Sequence, residues 1–126
     1  MMTTIELIIE KAYRGFFGRV LYKNNLIVDE ASTIPKLQAQ LKKLLKTTHG
    51  LKPNEIEFDI KYDLTVLFEK LNYLKISTVA NLANINASLL RQYVSGVKFP
   101  SPAQAKKIEE AIHQIGEELK GIHINA

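Results

Sequence analysis

The stretch that decides the fold is Ile76–Pro100, ISTVANLANINASLLRQYVSGVKFP. Its apolar residues recur at helical spacing in two short runs, Val79, Ala80, Leu82 and Ala83, then Leu89, Leu90, Tyr93 and Val94. Asn84 stands at the break between them, a residue type that accepts a left-handed backbone at little cost. Ile85 is the apolar residue of the turn, and Asn86 or Ser88 can cap the second helix. Ala80 is small enough for that helix to cross closely. Gly96 ends the second helix, and Pro100 forbids a simple continuation. A plain helical hairpin needs only some of Ala80, Asn84, Ile85, Leu90, Gly96 and Pro100. With all of them in register, the spacing predicts a helix-turn-helix.

The outer positions of the second helix are Asn86, Ala87, Ser88, Arg91, Gln92 and Ser95, with Lys98 just beyond. Arginine can pair bidentately with guanine and glutamine with adenine, while Ser88, Ser95 and Lys98 suit phosphate contacts that position a module without reading sequence. Each residue alone is an ordinary exposed helix position. Together they point to double-stranded DNA as the partner. The segment resembles the λ-repressor-like helix-turn-helix family, whose second helix lies in the DNA major groove.

Outward toward the C-terminus, Ser101-Pro102 is a cap followed by proline at the first helical position. Ala105, Ile108, Ile112, Ile115 and Leu119 carry the stripe of a last helix to about Lys120, before a short tail, Gly121–Ala126. Outward the other way, Leu67, Leu71 and Leu74 give a preceding helix one apolar face, begun by Asp63 or Thr65.

The first half has a different period. Ile5–Lys11 and Phe16–Tyr22 read as strands around a Tyr13-Arg14-Gly15 turn, and Asn24-Asn25 turns the chain into a third strand from Leu26. In the second strand Phe17, Arg19 and Leu21 face opposite to Phe16, Gly18, Val20 and Tyr22. Thr33–Lys46 switches to helix: Ser32 or Thr33 caps it, Pro35 sits in the first turn, and Ile34, Leu37, Leu41, Leu44 and Leu45 form one stripe. Gly50 closes it. Ile56, Phe58, Ile60 and Tyr62 then alternate with Glu55, Glu57, Asp59, Lys61 and Asp63, the pattern of a half-buried strand. The expected fold class is therefore α+β: a β-β-β-α-β sheet domain over residues 1–63 and an all-α helix-turn-helix domain over residues 64–126.

Bulk numbers agree. The 126 residues are 46% hydrophobic and 24% charged, an ordinary globular composition. Each half is near the size at which a single core gives marginal stability, so support from the other half or from a second subunit is expected. No apolar run approaches the roughly 20 residues of a membrane span, and the N-terminal MMTTIELIIEK lacks the basic leader of a signal peptide. The absence of cysteine removes disulfides and thiolate sites, which suits a cytoplasmic setting. The net charge of +4 divides evenly between residues 1–63 and 64–126, but Thr65–Pro100 holds Lys70, Lys75, Arg91 and Lys98 against Glu69 alone. That basic centre suits phosphates.

Catalytic patterns are sparse. There is no Walker-type glycine loop, no G-x-G-x-x-G and no H-E-x-x-H. Glu109 and His113 can share a helix face, but two ligands make a weak metal site. The acids Glu55, Glu57, Asp59 and Asp63 would suit a two-metal nuclease, although alternation alone accounts for them. No catalytic residue, metal, cofactor or small-molecule substrate is expected.

A β-β-β-α-β unit joined directly to a helix-turn-helix resembles the HicB antitoxin family. The carrying segments are EKAYRGFFGRV (Glu10–Val20), the helix Thr33–Lys46 and INASLLRQYVSGVKFPS (Ile85–Ser101). The resemblance implies a partial RNase H-like domain without nuclease activity that masks a small HicA-type mRNA-interferase toxin, and a dimer that represses its own operon. It places toxin near Tyr13, Arg14, Phe16, Phe17 and Tyr22, and DNA bases near Ala87, Ser88, Arg91 and Gln92. Members of that family usually carry a proline- and glycine-rich turn where Leu21–Ser32 has neither residue. A stand-alone transcriptional regulator without a toxin therefore stays open as the alternative.

Overall fold

The computed structural model describes residues 2–126. The chain divides into two compact units, Met1–Leu67 and Phe68–Ala126. The first contains β1 (Thr3–Ala12), β2 (Gly15–Tyr22), β3 (Asn25–Ala31), α1 (Ile34–His49) and β4 (Ile56–Tyr62). A helix α2 (Leu64–Lys70) follows, and then α3 (Ile76–Ala83), α4 (Ala87–Val94) and α5 (Pro102–Lys120). No helix among the described residues is long and apolar enough to cross a membrane.

The four strands form one mixed sheet in the order β3-β2-β1-β4. β1 and β2 are antiparallel, with Ile8 opposite Arg19 and Ala12 opposite Gly15, and β2 and β3 are antiparallel, with Leu21 opposite Leu26. β4 returns through α1 to lie parallel to β1, pairing Thr3 with Ile56 and Ile9 with Tyr62. The second hairpin turns on Lys23 and Asn24, one residue earlier than the expected Asn24-Asn25. Both have positive φ (49° and 64°), as a two-residue hairpin loop requires, and Asn25 already pairs with Tyr22. Cross-strand register, more than the Asn-Asn signal, sets the turn.

One sheet face is dry. Ile5, Leu7 and Ile9 of β1, Val20 of β2 and Ile27 of β3 pack against Leu37, Leu41 and Leu45 of α1 in one buried cluster. Gly18 permits the close approach: a Cβ there would stand 2.9 Å from both Leu37 Cδ2 and Leu41 Cδ1. Thr33 caps α1 by accepting from the Lys36 amide, and the helix runs three residues beyond Lys46 to His49, where Gly50 (φ 69°) stops it. Asp63 begins α2, its Oδ1 accepting the Val66 N–H at 2.8 Å.

The helical unit buries Phe68, Val79, Ala80, Ala83, Leu90, Tyr93, Ile108 and Ala111. Three expected helix faces differ. Leu82 lies at the margin of its helix's inner face and is 36% exposed. In α5 the buried pair is Ile108 and Ala111, while Ala105 and Leu119 at the ends of the expected stripe are open to solvent. α2 ends at Lys70, so Leu67, Leu71 and Leu74 do not form one helical stripe; the buried residues there are Val66 and Phe68.

Candidate nucleic-acid interface

Helices α3 and α4 are joined by three residues whose backbone is tightly specified. Asn84 is left-handed (φ 56°, ψ 47°). Its N–H donates to the Asn81 carbonyl at 3.2 Å, while the Ile85 N–H reaches back to the Ala80 carbonyl at 2.9 Å. This pair of bonds is the Schellman ending, which satisfies carbonyls the helix would otherwise leave open. Asn86 then caps α4, its Oδ1 accepting the Ser88 N–H at 2.8 Å. The end of α4 repeats the device: Gly96 (φ 81°) donates to Tyr93 O and Val97 to Gln92 O, at 3.2 and 3.0 Å.

Leu90 and Tyr93 turn inward, and Leu89 and Val94 are half-buried beside them. The opposite side of α4 carries Ser88 and Arg91, both exposed, with Gln92 half-buried at the margin. Of the residues expected to meet DNA, these three share the outer side of the helix. Asn86 is exposed, but its carbonyl oxygen is engaged in the cap, and Ala87 is half-buried. The Ser95 hydroxyl donates to Gln92 O at 3.2 Å, which occupies its proton locally. Lys98 stands exposed in the following loop between Val97 and Phe99, themselves 70% and 82% exposed.

Between Glu69 and Glu109 the chain carries no acid and six bases: Lys70, Lys75, Arg91, Lys98, Lys106 and Lys107. Counting only to Pro100 passes over the last two, which lie exposed in the first turns of α5. Acid-free length is the signal that finds them. The stretch thus carries six cations and no carboxylate, a charge balance that suits an anionic polymer.

The other candidates are distributed differently. Tyr13 and Arg14 form the tip of the β1–β2 hairpin, the Arg14 guanidinium 5.7 Å from the Tyr13 ring centre and that ring 92% exposed. Phe16 and Tyr22 pack on the helix-covered face, where Tyr22 meets His49 edge-on at 5.0 Å, whereas Phe17 lies on the open face. Strand alternation separates them, so the five residues Tyr13, Arg14, Phe16, Phe17 and Tyr22 do not share one surface. Among the acids, Asp63 is occupied as the α2 cap and accepts the Lys11 N–H at 3.3 Å, and Glu55 sits in a 3₁₀ turn before β4. Glu109 and His113 approach at 3.9 Å on the exposed side of α5. Among the described residues no group of three His, Asp or Glu could hold a metal ion.

No family model, curated protein or solved structure matches this chain.

Proposed function

We propose that the chain is a dimeric, non-enzymatic repressor that binds duplex DNA through a helix-turn-helix made by α3 and α4. The observation that carries this is the outer side of α4, where Ser88, Arg91 and Gln92 lie together within an acid-free stretch. Arg91 reads a guanine edge, Gln92 an adenine edge, and Ser88 with Lys98 holds the backbone. A module of this size buries modest surface on DNA, so two copies on paired half-sites give useful affinity. Fluorescence anisotropy on the DNA upstream of the gene tests it. Arg91→Ala should weaken binding by about 1–3 kcal/mol, roughly 5- to 150-fold. Equal binding by wild type and variant at low salt would overturn it.

On the HicB resemblance, we assign the sheet unit to masking a HicA-type mRNA-interferase toxin, with autoregulation through the helical unit. Co-expression with the adjacent gene product and co-purification of a complex test this half. A stand-alone regulator is the second proposal, favoured by the bare two-residue Lys23-Asn24 turn between β2 and β3. Co-purification separates the two. A metal-dependent nuclease using Glu57 and Asp59 is the least supported, because the neighbouring Asp63 is already engaged as a cap. Cleavage of nucleic acid that Asp59→Asn abolishes would establish it.

A further inference from the structure

The sheet's second face is not covered by α1, and its composition is divided. On β2 and β3, Phe17, Leu21, Leu26 and Val28 are exposed to 41%, 67%, 60% and 52%. Leu21 pairs directly with Leu26, Val28 stands two residues further along β3, and Phe17 lies diagonally across from Val28, so the four apolar side chains adjoin on one surface with Arg19 and Glu30 interleaved. A contiguous apolar patch of this kind on an otherwise ordinary surface marks an interaction site. Toward β1 and β4 the same face turns acidic, with Glu6, Glu10, Glu57 and Asp59 pointing to solvent by strand alternation, and Glu30 adds a fifth acid on β3, opposite Phe17. Two bases offset them: Arg19 Nε lies 2.6 Å from Glu10 Oε1, and Lys61 Nζ 2.9 Å from Glu6 Oε2. Five acids and two bases leave the face at −3 in a chain that is +4 overall. Glu6, Ile8, Arg19, Leu21 and Leu26 enclose a depression of about 370 Å³ where the two halves meet.

We infer that this open face docks a basic polypeptide whose apolar side chains lie over β2–β3 and whose lysines or arginines lie over β1–β4. Charge selects among the occupants. A nucleic acid or an anionic lipid surface is repelled by a face of the same sign. A second copy applied face to face sets −3 against −3, an arrangement that like-charge juxtaposition disfavours. A cationic, amphipathic protein surface gains on both halves. This takes the partner-binding half of the proposed function further by naming the surface and the partner's charge; it is independent of DNA binding by α4.

The test uses the full chain and two labelled synthetic peptides of equal length, one alternating leucine with lysine and one alternating leucine with glutamate. By fluorescence anisotropy the lysine peptide should bind at least tenfold more tightly than the glutamate peptide. Leu21→Thr with Leu26→Thr should weaken the lysine peptide at least tenfold, and both sites are more than half exposed, so the fold tolerates them. Glu57→Lys with Asp59→Lys should reverse the charge preference. Arg91→Ala, placed on the other unit, should leave peptide binding unchanged. Equal affinity for the two peptides, absence of binding, or indifference to the sheet variants would overturn the inference, as would a dimer that the Leu21/Leu26 variant dissociates in sedimentation. Failure to co-purify a toxin would instead count against the toxin assignment alone.

Discussion

The turn between α3 and α4 fixes how α4 is presented, and Asn84 is its pivot. Its φ of 56° and ψ of 47° place it in the left-handed region, where a Cβ costs an ordinary residue on the order of 1–2 kcal/mol. Asparagine bears part of that cost through its short polar side chain, and glycine bears none. Asn84→Gly should therefore stay within about 0.5 kcal/mol of wild type, Asn84→Ala should lose about 1 kcal/mol, and Asn84→Val, with its branched Cβ, about 2 kcal/mol or more. The helical unit is small, and at about 0.05–0.15 kcal/mol per residue a loss of that size is a large share of its stability. Native-state hydrogen exchange reads it out: the buried Leu90 and Tyr93 report the opening of the helical unit, and Leu7 and Ile9 report the sheet in the same sample. Expected protection at Leu90 follows the order glycine, alanine, valine. Equal protection in Asn84→Val and Asn84→Gly would show that the left-handed turn does not determine the stability of this unit.

Two further perturbations separate backbone causes from packing causes. Gly15→Ala and Gly50→Ala both place a Cβ at positive φ, but at Gly15 (φ 146°) it would stand 2.3 Å from the Ala31 carbonyl oxygen, while at Gly50 nothing lies within 4 Å. Urea denaturation should therefore show Gly15→Ala the more damaging, beyond the roughly 1–3 kcal/mol of backbone strain that both carry. Asp63→Ala removes the α2 cap and the acceptor of the Lys11 N–H, and should lower the thermal midpoint in line with about 0.5–2 kcal/mol.

Much of this architecture is legible in the sequence, for identifiable reasons. Ile56-x-Phe58-x-Ile60-x-Tyr62 alternates cleanly because β4 has one wet and one dry face, and Thr33, Pro35 and Gly50 announce both ends of α1. Gly50, Asn84 and Gly96 mark left-handed helix ends because few residues tolerate them. Tertiary packing is less legible. The return of β4 alongside β1 depends on a pairing between residues some fifty positions apart that no local signal records. The exposure of Leu119 depends on where α5 packs, which periodicity does not encode. Alternation already sets Phe16 and Phe17 on opposite faces, whereas the HicB resemblance groups them on one toxin-facing surface. At α4, Ser88, Arg91 and Gln92 were readable from helical spacing, whereas the local engagement of Asn86 and Ser95 emerges only from hydrogen-bond geometry.

The central claim is that the outer side of α4 meets a DNA duplex. Amide chemical-shift mapping of the 14.3 kDa chain, titrated at low salt with the upstream duplex, tests it most directly. The largest changes should fall at Asn86–Lys98, centred on Ser88, Arg91 and Gln92, and collapse as salt is raised. Changes confined to the sheet unit, or none at α4 under saturating DNA, would contradict it.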